Sequence, residues 1–234
     1  YIPSTVKRIE ASPFSGCDQL EKIVVSPDNP YYDSRRECNA IIDTAKNMLV
    51  SGCHTTQIPD DVVEIGCIAF ASTEKLEEIT IPDSVKKIEW NAFKYCKNLQ
   101  HVRFPKHLEY IGEGAFAYCE KLEELDLPAS VSTIEFEAFN NTPWLRNKPD
   151  GMVIVGSVLY KYKPFDGDEK VEPDCIIPEG VESISDDAFY MLEKPLRIYL
   201  PKSLKTYKAG SLRCLTKYYT MIRPEGVGED YPYT

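Results

Sequence analysis

The stretch AFKYCKNLQHVRFP, from Ala92 to Pro105, is followed 23 residues later by AFAYCEKLEELDLP, from Ala115 to Pro128. The two copies share alanine, phenylalanine, tyrosine, cysteine, leucine and proline at equivalent positions. The same interval separates prolines in two series: Pro59, Pro82, Pro105 and Pro128, and then Pro178, Pro201 and Pro224. A fixed period of this length is typical of stacked repeat proteins.

Apolar residues keep fixed offsets from these prolines. An isoleucine follows six residues after the proline, at Ile65, Ile88, Ile111, Ile134 and Ile184. A phenylalanine follows eleven residues after it, at Phe70, Phe93, Phe116, Phe139 and Phe189. The pattern LxxLxL then leads to the next proline, as in Leu76, Ile79 and Ile81. One coil of this length cannot cover its own apolar side, so the sequence predicts that Phe93 and Phe116 are buried in adjacent layers of one continuous core.

Each copy is predicted to contain one strand and one short helical segment. The last residues of LxxLxL alternate as a strand with one buried face does, and the following proline ends that strand. The AF-x-x-C segment is predicted to form a short helix or helical turn on the convex side. The predicted fold class is therefore α/β, namely a β-rich leucine-rich-repeat solenoid wound as a right-handed β-α superhelix.

The segment IPDSVKKIEWNAFKYCKNLQHVRF, from Ile81 to Phe104, resembles the phrase of the bacterial BspA-like leucine-rich repeats, also called the Treponema type. The resemblance covers nearly the whole chain. It implies the solenoid fold and an exported bacterial surface protein, because members of that family are mostly exported and some are implicated in adhesion to host proteins or other cells. It does not name a ligand.

Two stretches depart from the period and are interpreted as β-hairpin insertions near 38–53 and 151–165. In CNAIIDTAKNMLVSGC, counting from the centre pairs Ile42 with Leu49, Ala40 with Ser51 and Cys38 with Cys53. A disulfide between these two cysteines and burial of both as small core thiols are left as alternatives. In the second stretch, Gly156 and Ser157 are predicted to make a two-residue turn between Val155 and Val158.

The organisation predicted for residues 1–234 is a single solenoid domain. The chain opens inside a repeat, which is interpreted as a fragment of a longer exported protein whose export signal is absent here. The expected location is extracellular or on the cell surface.

Charge and composition exclude several classes of partner. The formal net charge is −10, and nucleic-acid binding requires a basic stripe. No apolar run approaches the length of roughly 18 residues that a membrane span needs, so we expect no membrane insertion. The sequence therefore favours a protein or glycan partner.

Signatures of catalysis and of metal binding are missing from the sequence. No nucleophile elbow, phosphate loop or zinc-protease motif occurs, so no enzyme, catalytic residue or cofactor is predicted. Asp166 and Asp168 have only part of a calcium-loop pattern, so no metal site is predicted. Three of the eight cysteines, Cys17, Cys96 and Cys119, occupy one repeat position and are interpreted as buried free thiols.

The candidate binding residues are the outward positions of successive strands, which are predicted to align into one continuous ribbon on the concave face. The ribbon comprises Lys22 and Val24, Glu78 and Thr80, His101 and Arg103, Glu124 and Asp126, and Arg197 and Tyr199. A second candidate surface is the pair of hairpin tyrosines Tyr160 and Tyr162, for which packing in the sheet is the alternative. Two functions remain open: a module for binding or adhesion, and a structural stalk or spacer that displays another domain.

Overall fold

The structure, a computed structural model, describes residues 1–11, 13–165, 174–190, 192, 196–207 and 219–224. These residues form two compact units. The first comprises Tyr1–Ser130 with Glu137–Asn147, and the second comprises Val131–Phe136 with the described part of Lys148–Thr234. Whether the two units form the single domain expected from the sequence stays a prediction.

The described part of the first unit contains eight short strands, one helical turn and a three-residue 3-10 turn at Arg35–Glu37. The strands are β1 (Tyr32–Asp33), β2 (Ile41–Asp43), β3 (Met48–Ser51), β4 (Glu64–Ile65), β5 (Glu78–Thr80), β6 (Lys87–Ile88), β7 (His101–Arg103) and β8 (Tyr110–Ile111), and the helix is α1 (Pro143–Arg146). Six strands pair in the order β1-β2-β3-β4-β6-β8, and β5 pairs separately with β7. From β3 onward the pairs are parallel, and Ile65, Ile88 and Ile111 are register partners, as the repeat offset predicts.

The described part of the second unit contains eight further strands. They are β9 (Thr133–Ile134), β10 (Gly151–Val155), β11 (Val158–Lys163), β12 (Cys175–Ile176), β13 (Ser183–Ile184), β14 (Leu196–Tyr199), β15 (Thr206–Tyr207) and β16 (Tyr219–Ile222). One sheet has the order β10-β11-β13-β15 and another the order β12-β14-β16. Pairs such as Ile184 with Tyr207 keep the 23-residue register of the repeat.

The predicted helical segments are turns, so the α/β class is replaced by a solenoid that is nearly all strand and turn. In the described residues, α1 has four residues and the only other helix is a three-residue 3-10 turn. The AF-x-x-C segments do not continue as helices because residues of positive φ interrupt them, such as Asn91 at 53° just before Ala92 and Tyr95 at 62° within the segment. Their amides bond to the next coil instead: the Phe93 amide donates to the Ala115 carbonyl at 2.7 Å.

The β2–β3 pair and the β10–β11 pair are antiparallel. Ile42 faces Leu49, as predicted, but a bulge next to Ile42 places Ile41 opposite Ser51, so the predicted partner Ala40 was wrong by one residue. Val155 faces Val158 across the predicted Gly156-Ser157 turn.

Cys38 and Cys53 are both buried and both free in the structure. The bulge in β2 offsets the pairing, and the Cys53 sulfur lies 3.6 Å from the Asn39 carbonyl oxygen. The structure therefore has the small buried thiols of the second alternative.

The core of the first unit contains a column of phenylalanine rings, one from each coil. Phe70, Phe93, Phe116 and Phe139 are each at most 1% exposed. Successive ring centroids are 5.0, 5.0 and 5.6 Å apart, and the ring planes are within 8° of parallel. The prediction that Phe93 and Phe116 are buried in adjacent layers is confirmed.

Two of the repeat-position cysteines lie beneath this column. The thiol of Cys96 lies 3.1 Å from the Phe70 carbonyl oxygen of the preceding coil, and Cys119 makes the equivalent contact with Phe93 at 3.2 Å. Burial raises the pKa of the Cys96 thiol to about 12 and raises that of Cys119 as well. Cys17, in the first repeat, is exposed, so its interpretation as a buried thiol was wrong.

Thiol labelling should separate these three cysteines. With a maleimide reagent at pH 8 we expect rapid modification of Cys17 and none of Cys96 or Cys119 until a denaturant is added, because their thiols are neutral and enclosed. Raising the pH to 9 should not speed labelling of the buried pair, since both pKa values lie well above that pH. Mass spectrometry of the labelled peptides assigns each site, and native labelling of Cys96 or Cys119 would contradict the burial.

Candidate functional site

Four of the predicted binding residues lie side by side on β5 and β7. Glu78 is the register partner of His101, and Thr80 is the register partner of Arg103. All four side chains are exposed, whereas Ile79 between them is 6% exposed and packs inward. Strand alternation therefore gives this part of the predicted ribbon the outward orientation that the sequence indicated.

These residues line a groove with a volume of about 760 Å³. Glu78, Thr80, His101 and Arg103 form one side of it with Ile79 and Pro82, and the segment 54–58, His-Thr-Thr-Gln-Ile, forms the other. Sequence reasoning missed that segment. The repeat offset could have found it, because 55–57 lies 23 residues before 78–80.

The 54–58 segment is held in place by hydrogen bonds that turn it away from β5. The Thr56 amide donates to the Cys53 carbonyl at 3.1 Å, and the Gln57 amide donates to the Cys38 carbonyl at 3.1 Å. The Thr56 hydroxyl donates to the Asn39 carbonyl at 2.6 Å. The segment is thus a fixed wall, and it is not a strand of the β5–β7 sheet.

A smaller groove of about 390 Å³ lies on the other side of β7. It is lined by Gln100, His101, Lys121, Glu123 and Glu124. Glu124 and Asp126 are exposed, as predicted, but they belong to no strand.

The strand predicted at 122–127 is absent because the following coil takes a different form. The Leu122 carbonyl accepts the Trp144 amide at 2.9 Å. Trp144 lies in the helical turn α1, so this coil supplies no partner strand.

The predicted ribbon is therefore not continuous. Lys22 is exposed, but Val24 is half-buried and lies outside the named strands. Arg197 and Tyr199 are in β14 of the second unit, where Arg197 Nε lies 2.7 Å from Asp174 Oδ1 and Tyr199 is half-buried. Among the described residues, the structure brings only Glu78, Thr80, His101 and Arg103 together on paired strands.

The second candidate surface, Tyr160 and Tyr162, was wrong. The two side chains are 0% and 3% exposed, so they are core residues. Tyr162 lies with its ring 5.9 Å from that of Phe189, and its amide donates to the Ala188 carbonyl. The two tyrosines are buried because the face of β11 that carries them packs into the core, where Tyr162 belongs to the apolar cluster that contains Ala188 and Phe189.

The large groove is lined by acidic, basic and neutral polar side chains. Glu78 and Arg103 have no salt bridge among the described residues, and His54, His101 and the three threonines add hydrogen-bonding groups.

No cluster of three or more potential metal ligands occurs in the described part of the chain, and Asp166 and Asp168 lie outside it. No helix among the described residues has the length and apolar character to cross a membrane.

Comparison with solved structures gives relatives of low identity. The chain is 16% identical to the pneumococcal vaccine antigen PcpA, with a TM-score of 0.52, over 96% of this chain and 55% of that one. It is 22% identical to a leucine rich cell surface protein from Faecalibacterium prausnitzii A2-165, with a TM-score of 0.48, over 98% of this chain and 48% of that one. The chain thus spans about half the length of these two proteins, and comparison with curated proteins gave no match.

Comparison with protein families gives a match over most of the chain. The family described as the BspA type leucine rich repeat region matches in six copies, at residues 1–35, 50–149 and 165–229. The residues between these ranges contain the turns of the β2–β3 and β10–β11 pairs. The repeat period, the stacked phenylalanine column and this match lead to one conclusion: the chain belongs to the BspA-type leucine-rich repeat family.

Proposed function

We propose that this chain is a non-enzymatic module of a bacterial cell-surface protein and that it binds a protein or a glycan in the groove between β5 and the 54–58 segment. Membership of the BspA-type family supports the surface location. Adhesion to a host molecule or to another cell is the role that we propose for such binding.

The observation that carries the proposal is the position of Glu78, Thr80, His101 and Arg103. Their side chains are exposed on two aligned strands, while the core is packed by the residues between and behind them. Side chains without a packing role can be shaped for a ligand without unfolding the scaffold. The fixed 54–58 wall adds a concave site, which is the geometry that ligand sites favour.

The test begins with an array of glycans and extracellular-matrix proteins probed with the purified chain. The variant Glu78→Ala/His101→Ala/Arg103→Ala is then measured against any ligand found. We expect its affinity to fall by at least about tenfold, because charged and hydrogen-bonding side chains at the centre of a site contribute most of the binding energy.

A matched control removes the same types of side chain elsewhere in the first unit. Lys87, His107 and Glu113 are exposed and do not line the groove. The variant Lys87→Ala/His107→Ala/Glu113→Ala should bind as the unmodified chain does. Equal affinity of the two triple variants would show that the groove is the wrong site, and an array without any ligand would favour the structural spacer.

A further inference from the structure

One edge of β5 has no backbone partner in the part of the chain that the structure describes. In the parallel β5–β7 pair the His101 amide donates to the Glu77 carbonyl at 3.2 Å, and the Ile81 amide donates to the Arg103 carbonyl at 2.9 Å. The residues that bond to β7 therefore alternate with Glu78 and Thr80. In a parallel ladder the amides and carbonyls of Glu78 and Thr80 then point to the opposite edge of β5. Within the described residues, no backbone hydrogen bond reaches these four groups.

The repeat would normally cover this edge with the preceding coil. The β5–β7 pair joins residues that are 23 positions apart, so the expected neighbour of Ile79 on the preceding coil is Thr56. In that register the Thr56 amide would donate to the Glu78 carbonyl. The Thr56 amide is used instead in the turn to Cys53, so the edge opens into the groove. An unpaired strand edge is a template for another extended chain.

We propose that an extended peptide segment of a partner protein adds to β5 in this groove as a parallel strand. This inference rests on the proposed function and specifies its ligand. A strand rises about 3.3 Å per residue, so the three residues of β5 offer an edge of roughly 10 Å to a three-residue core of the peptide. The groove volume of about 760 Å³ accommodates a segment of that size.

The groove also determines the chemistry of the peptide. A central residue beside Ile79 faces inward, where Ile58 and Ile79 line the groove, which favours a β-branched apolar side chain such as valine. The preceding residue lies beside Glu78, which favours lysine. The following residue lies beside Thr80, whose register partner on β7 is the exposed Arg103, and a cation there favours glutamate. The complementary core is Lys-Val-Glu.

The parallel ladder gives each peptide amide a different role. The central valine amide donates to the Glu78 carbonyl, and its carbonyl accepts the Thr80 amide. The amide of the following glutamate points away from β5. Methylation of the valine nitrogen therefore removes a bond to β5, and methylation of the glutamate nitrogen does not.

The experiment measures binding of a fluorescein-labelled Ser-Thr-Lys-Val-Glu-Thr-Ser peptide by fluorescence polarisation. We expect the peptide with N-methylvaline to bind at least tenfold more weakly than the peptide with N-methylglutamate, and the charge-reversed Glu-Val-Lys peptide to bind more weakly than the parent. Equal binding of the two methylated peptides would overturn the inference.

A pair of protein variants tests the same edge from the other side. Thr80→Pro removes the amide that faces the groove, and proline is tolerated on an edge strand whose amide faces solvent. Thr80→Ala keeps that amide. With thermal unfolding confirming that both variants are folded, we expect Thr80→Pro to bind the peptide at least tenfold more weakly than Thr80→Ala. Equal binding by folded Thr80→Pro would contradict strand addition, and if Thr80→Pro does not fold, the methylated peptides decide.

Failure of this inference is distinguishable from failure of the proposed function. If none of the peptides binds while an array ligand still depends on Glu78, His101 and Arg103, strand addition is wrong and the groove remains the binding site. An array ligand that is a glycan and needs these three side chains would lead to the same conclusion.

Discussion

Replacing Phe116 with alanine is expected to lower the free energy of unfolding by about 3 to 5 kcal/mol, the range for removing a large buried aromatic side chain. The ring is 0% exposed and stacks on Phe93 at 5.0 Å and on Phe139 at 5.6 Å. It also meets the edge of Phe104 at 5.6 Å. The cavity left by the substitution would interrupt the aromatic column in the middle of the first unit.

Thermal and urea unfolding measure the effect of Phe116→Ala. For a chain of this size the loss corresponds to a midpoint lower by roughly 6 to 20 °C. The control is Trp90→Ala, since Trp90 is also aromatic but is 43% exposed, and its midpoint should change little. Equal midpoints for Phe116→Ala and the unmodified chain would contradict the assignment of Phe116 to the core.

Replacing Lys161 with methionine is expected to destabilise the second unit by about 3 to 5 kcal/mol, because it removes the cation that lies against the buried Asp187 carboxylate. Lys161 Nζ lies 3.1 Å from Asp187 Oδ2 and 3.0 Å from the Asp187 carbonyl oxygen. The Asp187 side chain is 3% exposed and that of Lys161 is 20% exposed. The same Nζ atom lies 5.8 Å from the centre of the Tyr190 ring.

A double variant distinguishes loss of charge pairing from loss of packing. In Lys161→Met/Asp187→Leu both charges are removed, so most of the stability lost in Lys161→Met should return. The reference is the exposed pair Lys205 and Glu182, whose atoms are 2.8 Å apart. Lys205→Met should change stability by less than about 1 kcal/mol. If Lys161→Met behaves like Lys205→Met, the Lys161–Asp187 pair does not stabilise the unit.

The repeat pattern predicted the core of this protein well because burial in a solenoid is periodic. Each coil presents the same side chains to the coils on either side, so Phe70, Phe93, Phe116 and Phe139 all reach the same layer position. The 23-residue register of the parallel strands follows from the same cause. Exposure of Glu78, Thr80, His101 and Arg103 was also predictable, since strand alternation depends only on local geometry.

The predictions that failed concern contacts between a segment and parts of the chain that are distant from it in the sequence. The AF-x-x-C turns do not become helices because their amides bond to the neighbouring coil, as the Phe93 amide does to Ala115. Tyr160 and Tyr162 were assigned to a surface hairpin, but the face of β11 that carries them is covered by the core. A single sequence does not show which face of a hairpin will be covered by the rest of the chain.

The sequence by itself determined the repeat length, the layers of the core and the family, because these depend on a pattern that every coil repeats. Only the tertiary structure decided where the sheet is interrupted. The groove beside β5 exists because the Thr56 amide donates to the Cys53 carbonyl, so that among the described residues no backbone group pairs with the edge at Glu78 and Thr80. Such hydrogen bonds join residues that depart from the repeat, so their effect on a neighbouring coil appears only when the chain is folded.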